Sequence, residues 1–534
     1  MEQNNRDYPS DIAIVYLGRK ITYRELFQNI DKTAAAFIKA GVKEKEIVTI
    51  ALPSIPEALY CVYALNKIGA VANMIHPLPG KDEMIFYLNE VKSRVAVIFD
   101  GAFDSIAKDI DKTSVEKMIV ASPADSLTIT LKLAYNLKVK KPKLDGVKFQ
   151  NWKSFIKDGN GTPVKAVKKD CHEMALISHT GGTTGEPKGV MCSDYSLNAL
   201  MYQIVCNFSF ERNGCSLVVL PPFINYSLVE AAMAMLSIGY NVVLIPKYES
   251  SKFAEYVKKH RPTVVLSIPP YWNAILDSKE EMDLTCFEHI YYGGEGMTIE
   301  SEAAINCFLE KCGSKTKLCK GLGSTELMAA ATQSYPECNP IGSVGIPLVR
   351  MNCRIEDPET GRDLQYGLEG ELCFSGPTLM LGYYNKPEAT DEVIKTHSDG
   401  QRWLHTGDLG YMDENGVIYV TGRIKRIYMT KGKDGNITKI FPDRIEKCIS
   451  QCDSVIQCCV IGVADEVRIN YPKTYIVLKE SASSDKAKME INDICKRALP
   501  EYMVPEEVEF VEELPRTSRG KIDYRYLEEM GRKE

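Results

Sequence analysis

Residues 180–189 read Thr-Gly-Gly-Thr-Thr-Gly-Glu-Pro-Lys-Gly and follow a short strand-like run, MALIS. Glycines let a backbone turn sharply and approach a ligand closely, and successive N–H groups with Thr hydroxyls and a Lys can hold phosphate oxygens. The segment is therefore a candidate phosphate clamp, contacting its ligand through Thr180, Gly181, Gly182, Thr183, Thr184, Gly185 and Lys188. A Walker A loop is excluded, because that loop needs Gly-Lys followed by Ser or Thr and Lys188 lies between Pro187 and Gly189. On composition alone, a structural turn would account for the same residues.

Other residues invite two readings each. Asp408, after Thr406-Gly407, is either a turn residue or an ionised carboxylate whose two oxygens accept a pair of hydroxyls. Gly293-Gly294-Glu295, after the strand-like HIYY, makes either a tight turn or a bare surface against which a flat ring can lie. Ser324-Thr325 either caps a helix beginning near Glu326 or presents hydroxyls to a ligand. Lys521 is a point charge on a long stem near the C-terminus, where most lysines are simply solvated.

The elements that must position these residues follow an α/β grammar. Thr22 with Glu25 forms a capping-box pattern before the periodic Leu26, Ile30, Ala34 and Phe37, so a helix is expected there, ending at Gly41. Strand-like runs then alternate with helix-length segments: EIVTIAL, AVANMI and RVAVIF, and after residue 170 MALIS, SLVVL, NVVLI, TVVLSI and HIYYG. Short apolar runs separated by helices imply parallel, covered sheets, here two related sheet subdomains. Between residues 342 and 420 short strands and Gly, Asp and Asn turns indicate a small β-rich unit. A Gly- and Lys-rich polar stretch, KGKDGNITK, then precedes a small α+β region. The expected division is a large N-terminal domain, 1–424, and a small C-terminal domain, 425–534.

Composition narrows the function classes. The 534 residues include 65 Lys+Arg against 71 Asp+Glu, a net charge of −6, which excludes a generally basic nucleic-acid binder. The most apolar stretch, 217–246, is interrupted by Pro221, Pro222, Asn225, Glu230 and Asn241, so no membrane insertion is expected. The first residues, MEQNNRDYPSD, have neither a basic start nor an apolar run, and a cytoplasmic location is expected. The 17 cysteines are scattered and odd in number, which favours reduced core thiols. Cys448, Cys452, Cys458 and Cys459 contain no CxxC pair and are expected on a helix and the following strand. The basic segment around 131–144 reads as a solvated loop or helix face.

Taken together, these blocks resemble the signature of the adenylate-forming superfamily of acyl-CoA synthetases, nonribosomal peptide adenylation domains and beetle luciferases. Its Thr-Ser-Gly-Thr-Thr-Gly-x-Pro-Lys-Gly pattern is matched with one departure, Gly181. Gly323-Ser-Thr-Glu326 resembles its Gly-x-Thr-Glu element, Trp403-Leu-His-Thr-Gly-Asp408 its Thr-Gly-Asp element, and Gly422-Arg-Ile-Lys425 its hinge. LPEYMVP and the later Leu514-Pro-Arg-Thr-Ser-Arg-Gly-Lys521 are similar to its last two blocks.

The resemblance implies a two-step ligase. A carboxylate attacks the α-phosphorus of ATP, and a thiol then takes the acyl group from the adenylate. It implies catalytic roles for Lys521, Lys188, Thr325 and Glu326, with Glu326 holding Mg²⁺ and Gly323, Ser324 and Thr325 beside the phosphate. It further implies ribose contacts at Asp408 and Arg423, adenine packing at Gly293, Gly294 and Glu295, a hinge at Lys425, and coenzyme A near Lys431 and Gly432. By position, Asn225, Tyr226, Ser267, Pro269 and Leu322 should lie near the acyl group. The block LPPFINYSL lacks the Asp that amino-acid-activating members use, so an unsubstituted fatty or aromatic acid is expected. It also lacks the family's common His, and Leu322 replaces the aromatic residue before Gly-x-Thr-Glu. No carrier-protein domain follows, which favours free CoA as acceptor. The competing readings are a stand-alone loader of a separate carrier protein and a catalytically silent nucleotide-binding protein.

Overall fold

The structure is a computed structural model that describes all residues except 139–141, 181–186, 209, 248, 279–281, 432–436, 466, 481, 518–520 and 532–534. After a short N-terminal helix, Glu2–Asn5, the helix Tyr23–Lys39 starts at a reciprocal capping box between Thr22 and Glu25 and buries Leu26, Ile30, Ala34 and Phe37. Such a cap contributes about 1 kcal/mol, and the buried face does the rest by packing.

Two sheets dominate the large N-terminal domain. One has eight strands, and its parallel centre runs Met174–His179, Val71–Met74, Ile47–Ala51, Val95–Phe99 and Lys117–Ala121. The other has seven, with Cys319–Lys320, His289–Tyr292, Val264–Ser267, Cys215–Val218 and Asn241–Leu244 side by side and parallel. Ile47–Ala51 and Val71–Met74 bury every residue, as strands covered on both faces must. One apolar core, including Val48 and Ile50 from the first sheet and Ile14 and Val242 from the second, joins the two.

Two pairings were not legible in the sequence pattern. The N-terminal strand Ile12–Tyr16 crosses into the second sheet and pairs in parallel with Asn241–Leu244. MALIS is followed by an antiparallel strand, Gly189–Ser193, before its helix Asp194–Val205 begins. Ile12–Tyr16 also pairs with the adjacent strand Arg19–Thr22, but its parallel partner is supplied only by tertiary packing.

The β-rich unit is a five-stranded antiparallel sheet that includes Gly370–Ser375, Arg402–Met412 and Ile418–Arg423. The smaller C-terminal domain pairs Val455–Asp465 with Ile469–Leu478 and adds Glu507–Phe510 in parallel. The polar stretch expected between them instead carries a strand pair, Tyr428–Lys431 against Ile437–Ile440. Cys448, Cys452 and Cys458 lie buried in the C-terminal core with Cys495. The basic segment opens as the helix Ile129–Lys138, on which Ile129, Leu133 and Leu137 face outward. No helix among the described residues is long and apolar enough to cross a membrane.

A buried acid gives the fold a pH dependence. Glu57, on the helix Pro56–Lys67, is buried and accepts a hydrogen bond from Ser126 Oγ at 2.6 Å. Burial pushes its carboxyl up to about 8 from an ordinary value of 4.5. The folded protein therefore keeps a proton that the unfolded chain releases. The stability linked to this group is full below about pH 4.5 and is lost as pH rises through about 8, with a slope of at most about 1.4 kcal/mol per pH unit. Thermal unfolding of Glu57→Gln across pH 5 to 9 is expected to show a shallower decline than wild type, and an equal decline would remove Glu57 as its source.

Candidate active site

Parallel strands place all their carboxyl ends on one side, and the loops leaving those ends converge there. Leu220–Tyr226 leaves Cys215–Val218, Gly293-Gly294-Glu295 leaves His289–Tyr292, and Gly321 to Thr325 leaves Cys319–Lys320. From the first sheet, His76 follows Val71–Met74. These loops line one cavity of about 450 Å³, to which the C-terminal domain adds Thr517 and Lys521. Residues far apart in sequence thus meet where the two sheets and the small domain come together.

The Gly-x-Thr-Glu element is not a capped helix. Thr325–Leu327 is a single 3-10 turn, Ser324 makes no side-chain cap, and the Ser324 hydroxyl is buried without a hydrogen-bond partner. A side chain at Gly323 would sit 1.5 Å from the Ala329 carbonyl oxygen, so only glycine fits this crossing. Met328 adopts a positive φ of 70° directly after the turn. A strained backbone and an unsatisfied hydroxyl facing a cavity are features of a ligand site rather than of a helix start.

Phosphate-type chemistry would be served beside this turn. Thr180 and Lys188 close the base of the glycine-rich segment: the Thr180 N–H donates to the Lys188 carbonyl at 2.9 Å, and the Lys188 N–H donates to Thr180 Oγ1 at 3.1 Å. Gly181, Gly182, Thr183, Thr184 and Gly185 lie outside the described residues. Lys188 Nζ stands 4.8 Å from the centre of the Tyr383 ring, whose hydroxyl donates to Glu326 Oε1 at 2.7 Å. Tyr383 therefore links the clamp lysine to the candidate metal ligand. Glu326 keeps a second carboxylate oxygen that takes no hydrogen bond from the described residues, and a hard oxygen donor of this kind fits Mg²⁺.

A second polar group lies within electrostatic range of Lys521. Asp408 is 8% exposed and pairs with Arg423, its cross-strand neighbour, through an Nε–Oδ1 distance of 2.6 Å. Burial raises the Asp408 carboxyl, while Arg423 and then Lys521 hold it down. The loop before it is anchored by Glu371, whose Oε1 accepts the Gly407 N–H at 2.8 Å. Glu295 is raised by burial and lowered by Arg516 and Lys521, and Arg516 Nη1 lies 3.5 Å from Glu295 Oε1. Lys521 thus acts electrostatically on two carboxylates of the large domain. Its backbone carbonyl accepts the Thr517 N–H at 2.8 Å, closing a turn.

Of the expected acyl-site residues, Asn225, Tyr226 and Leu322 line the cavity. Asn225 already accepts from Ser178 Oγ at 2.6 Å, so its side-chain oxygen is engaged within the protein. Ser267 and Pro269 do not line it among the described residues; Ile268 between them does. Lys425 and Lys431 lie away from the cavity, and Gly432 is outside the described residues. His76 and Glu230 are among the lining residues missed from the sequence. His76 packs edge-on against Phe223 at 4.9 Å, so an imidazole reaches the cavity from a different strand than the block that lacks one. Glu230 lines it from within the apolar run, where its charge was the only available signal.

The AMP-binding enzyme family matches residues 1–384, and the AMP-binding enzyme C-terminal domain matches residues 444–521. A long-chain-fatty-acid–CoA ligase of Bacillus subtilis is 28% identical over 529 residues, covering 97% of this chain and 92% of its own. A probable 4-coumarate–CoA ligase of Dictyostelium discoideum is 28% identical over 533 residues, with the same coverage of 97% and 92%. Among solved structures, ATP-bound MatB from Rhodopseudomonas palustris superposes with a TM-score of 0.83 at 23% identity, covering 98% of this chain and 96% of that one.

Proposed function

The chain belongs to the AMP-binding enzyme family and is an AMP-forming ligase of the acyl-CoA synthetase type, and from that premise we propose that it activates a fatty or aromatic carboxylic acid on ATP and passes the acyl group to coenzyme A. The observation that carries this reading is the meeting of Lys521 with the loops Gly293-Gly294-Glu295 and Gly323-Ser324-Thr325 around one cavity.

In the first half-reaction, a carboxylate oxygen of the acid attacks the α-phosphorus of ATP, and pyrophosphate leaves. Transfer of this kind depends on positioning and on neutralising oxygens. Lys521 bridges the incoming carboxylate and an α-phosphate oxygen, offsetting the charge that gathers between them. Ser324 and Thr325 donate hydroxyls to the same phosphate, and Lys188 with the 180–188 segment holds the leaving end. Asp408 accepts the ribose hydroxyls, with Arg423 fixing its orientation, and the base lies along Gly293-Gly294-Glu295. Mg²⁺ bound at Glu326 would neutralise phosphate charge. In the second half-reaction the CoA thiol attacks the acyl carbonyl, and AMP leaves with the bonding electron pair. The small domain, residues 425–534, turns about Lys425 between the two, withdrawing Lys521 and bringing the Lys431–Gly432 side to the thiol.

The test is pyrophosphate and AMP release from ATP and Mg²⁺ with short, medium and long fatty acids, aryl acids and amino acids, each with and without CoA. CoA-dependent turnover with fatty or aryl acids is expected. Pyrophosphate release that CoA does not accelerate would instead identify a carrier-protein loader, and silence with every acid would leave a nucleotide-binding protein.

A further inference from the structure

The helix leaving Cys215–Val218 is wound as a π-helix over Tyr226–Ala234. Such winding usually occurs as single turns and is frequent at functional sites. Tyr226 lies at its start, with its ring 3.8 Å from where a side chain on Gly293 would begin, and Glu230 follows four residues later on the same side. Glu230 is 2% exposed and yet lines the cavity. Its Oε1 has no hydrogen-bond partner, and no Lys, Arg or His pairs with it among the described residues. Gln333, which lines the same cavity, has an unpartnered side-chain oxygen as well.

A buried carboxyl without a donor is costly to the fold, and an apolar side chain on this helix would avoid that cost. Burial alone pushes the Glu230 carboxyl up to about 8, with no charged neighbour contributing. Lys521, whose charge lowers Asp408 and Glu295, is not among the groups that shift Glu230. The cavity has a cationic end, where the acid's carboxylate is placed by the function proposed above, and a separate acceptor that the reaction does not use. Phe223, Ile224, Tyr226 and Tyr291 line the same cavity.

We propose that Glu230 recognises a hydrogen-bond donor, an amine or a hydroxyl, carried on the acyl part of the acid away from its carboxylate. The enzyme then selects amino- or hydroxy-substituted acids over unsubstituted acids of the same skeleton. This rests on the ligase reading and replaces the expectation of an unsubstituted acid, which was drawn from residues 224–226 alone. A hydroxyl forms a neutral pair with the protonated carboxyl. An amine enters as an ammonium and pairs with the ionised form, so one carboxyl serves both donors. An unsubstituted acid would leave the buried carboxyl unpaired, and selection against such an acid is stronger than selection for a methylene.

The experiment measures kcat/KM for pyrophosphate release with matched sets: benzoate, 4-hydroxybenzoate and 4-aminobenzoate; cinnamate and 4-hydroxycinnamate; hexanoate, 6-hydroxyhexanoate and 6-aminohexanoate. Wild type is expected to favour at least one substituted acid over its parent by about 100-fold or more. Glu230→Leu should collapse that ratio to near one, with a thermal midpoint equal to or above that of wild type. Glu230→Gln, which keeps an acceptor but no charge, should retain preference for a hydroxyl and lose preference for an amine. Equal turnover of parent and substituted acids, or a ratio that survives Glu230→Leu, overturns the role of Glu230 and leaves the ligase reading intact. Silence with every acid overturns the ligase reading and this inference with it.

Discussion

Lys521→Ala is expected to lower acyl-adenylate formation by about 10²- to 10³-fold, the loss seen when one preorganised donor to developing charge is removed. Conversion of a supplied acyl-adenylate to its thioester should stay within about threefold of wild type, because the lysine acts where the carboxylate meets the phosphate and not where the thiol attacks. The Lys521 side chain lines the cavity, and its charge lowers both Asp408 and Glu295 against the effect of burial. Lys521→Arg should recover little, since a planar fork does not reach two oxygens as a point charge on a flexible stem does. Pyrophosphate release and thioester formation, measured separately, decide the matter. An equal loss in both half-reactions would refute the role.

Lys425→Pro is expected to do the opposite, leaving adenylate formation within about threefold and reducing thioester formation by about 100-fold or more. Arg423 is tied to Asp408 of the large domain at 2.6 Å. Arg426 is tied to Asp443 at 2.7 Å and to Glu446 at 2.6 Å on the small domain's helix Pro442–Ile449. Only Ile424 and Lys425 lie between these anchors, within the 3-10 turn Ile424–Arg426, so a rotation between the domains must be absorbed there. Proline holds φ near −65°, which suits the present turn and opposes another, at a small cost at the preceding Ile424. Lys425→Ala should leave both half-reactions near wild type and so separates the loss of charge from the loss of freedom. Full thioester formation by Lys425→Pro would move the pivot elsewhere.

Much of the architecture was legible in local patterns. The capping box at Thr22 and Glu25, the alternation of apolar runs with helices, and the change to short antiparallel strands near residue 342 all match the observed elements. The exceptions share a cause. Ile12–Tyr16 takes its parallel partner from far along the chain, Gly189–Ser193 is short and follows a glycine-rich segment, and the pair Tyr428–Lys431 and Ile437–Ile440 is too polar to announce itself by burial. Hydrophobic periodicity reports a chain's own burial, not the neighbour that covers it.

The site divides in the same way. Residue type and spacing were enough to mark the blocks that carry charge and close backbone approach: the 180–189 segment, Gly323-Ser-Thr-Glu326, Asp408 with Arg423, and Lys521. Each depends on residue type and spacing along one stretch of chain, which are local properties. What those blocks face depends on long-range packing. Tyr383 joins Lys188 to Glu326, His76 enters from the other sheet, and a π-helix turns Glu230 inward without a partner. Loops leaving parallel strands meet at the carboxyl edge whatever their order in the chain. The fate of a single acid in an apolar run is then set by whether the packed neighbours supply a donor, and among the described residues none does so to Glu230 Oε1.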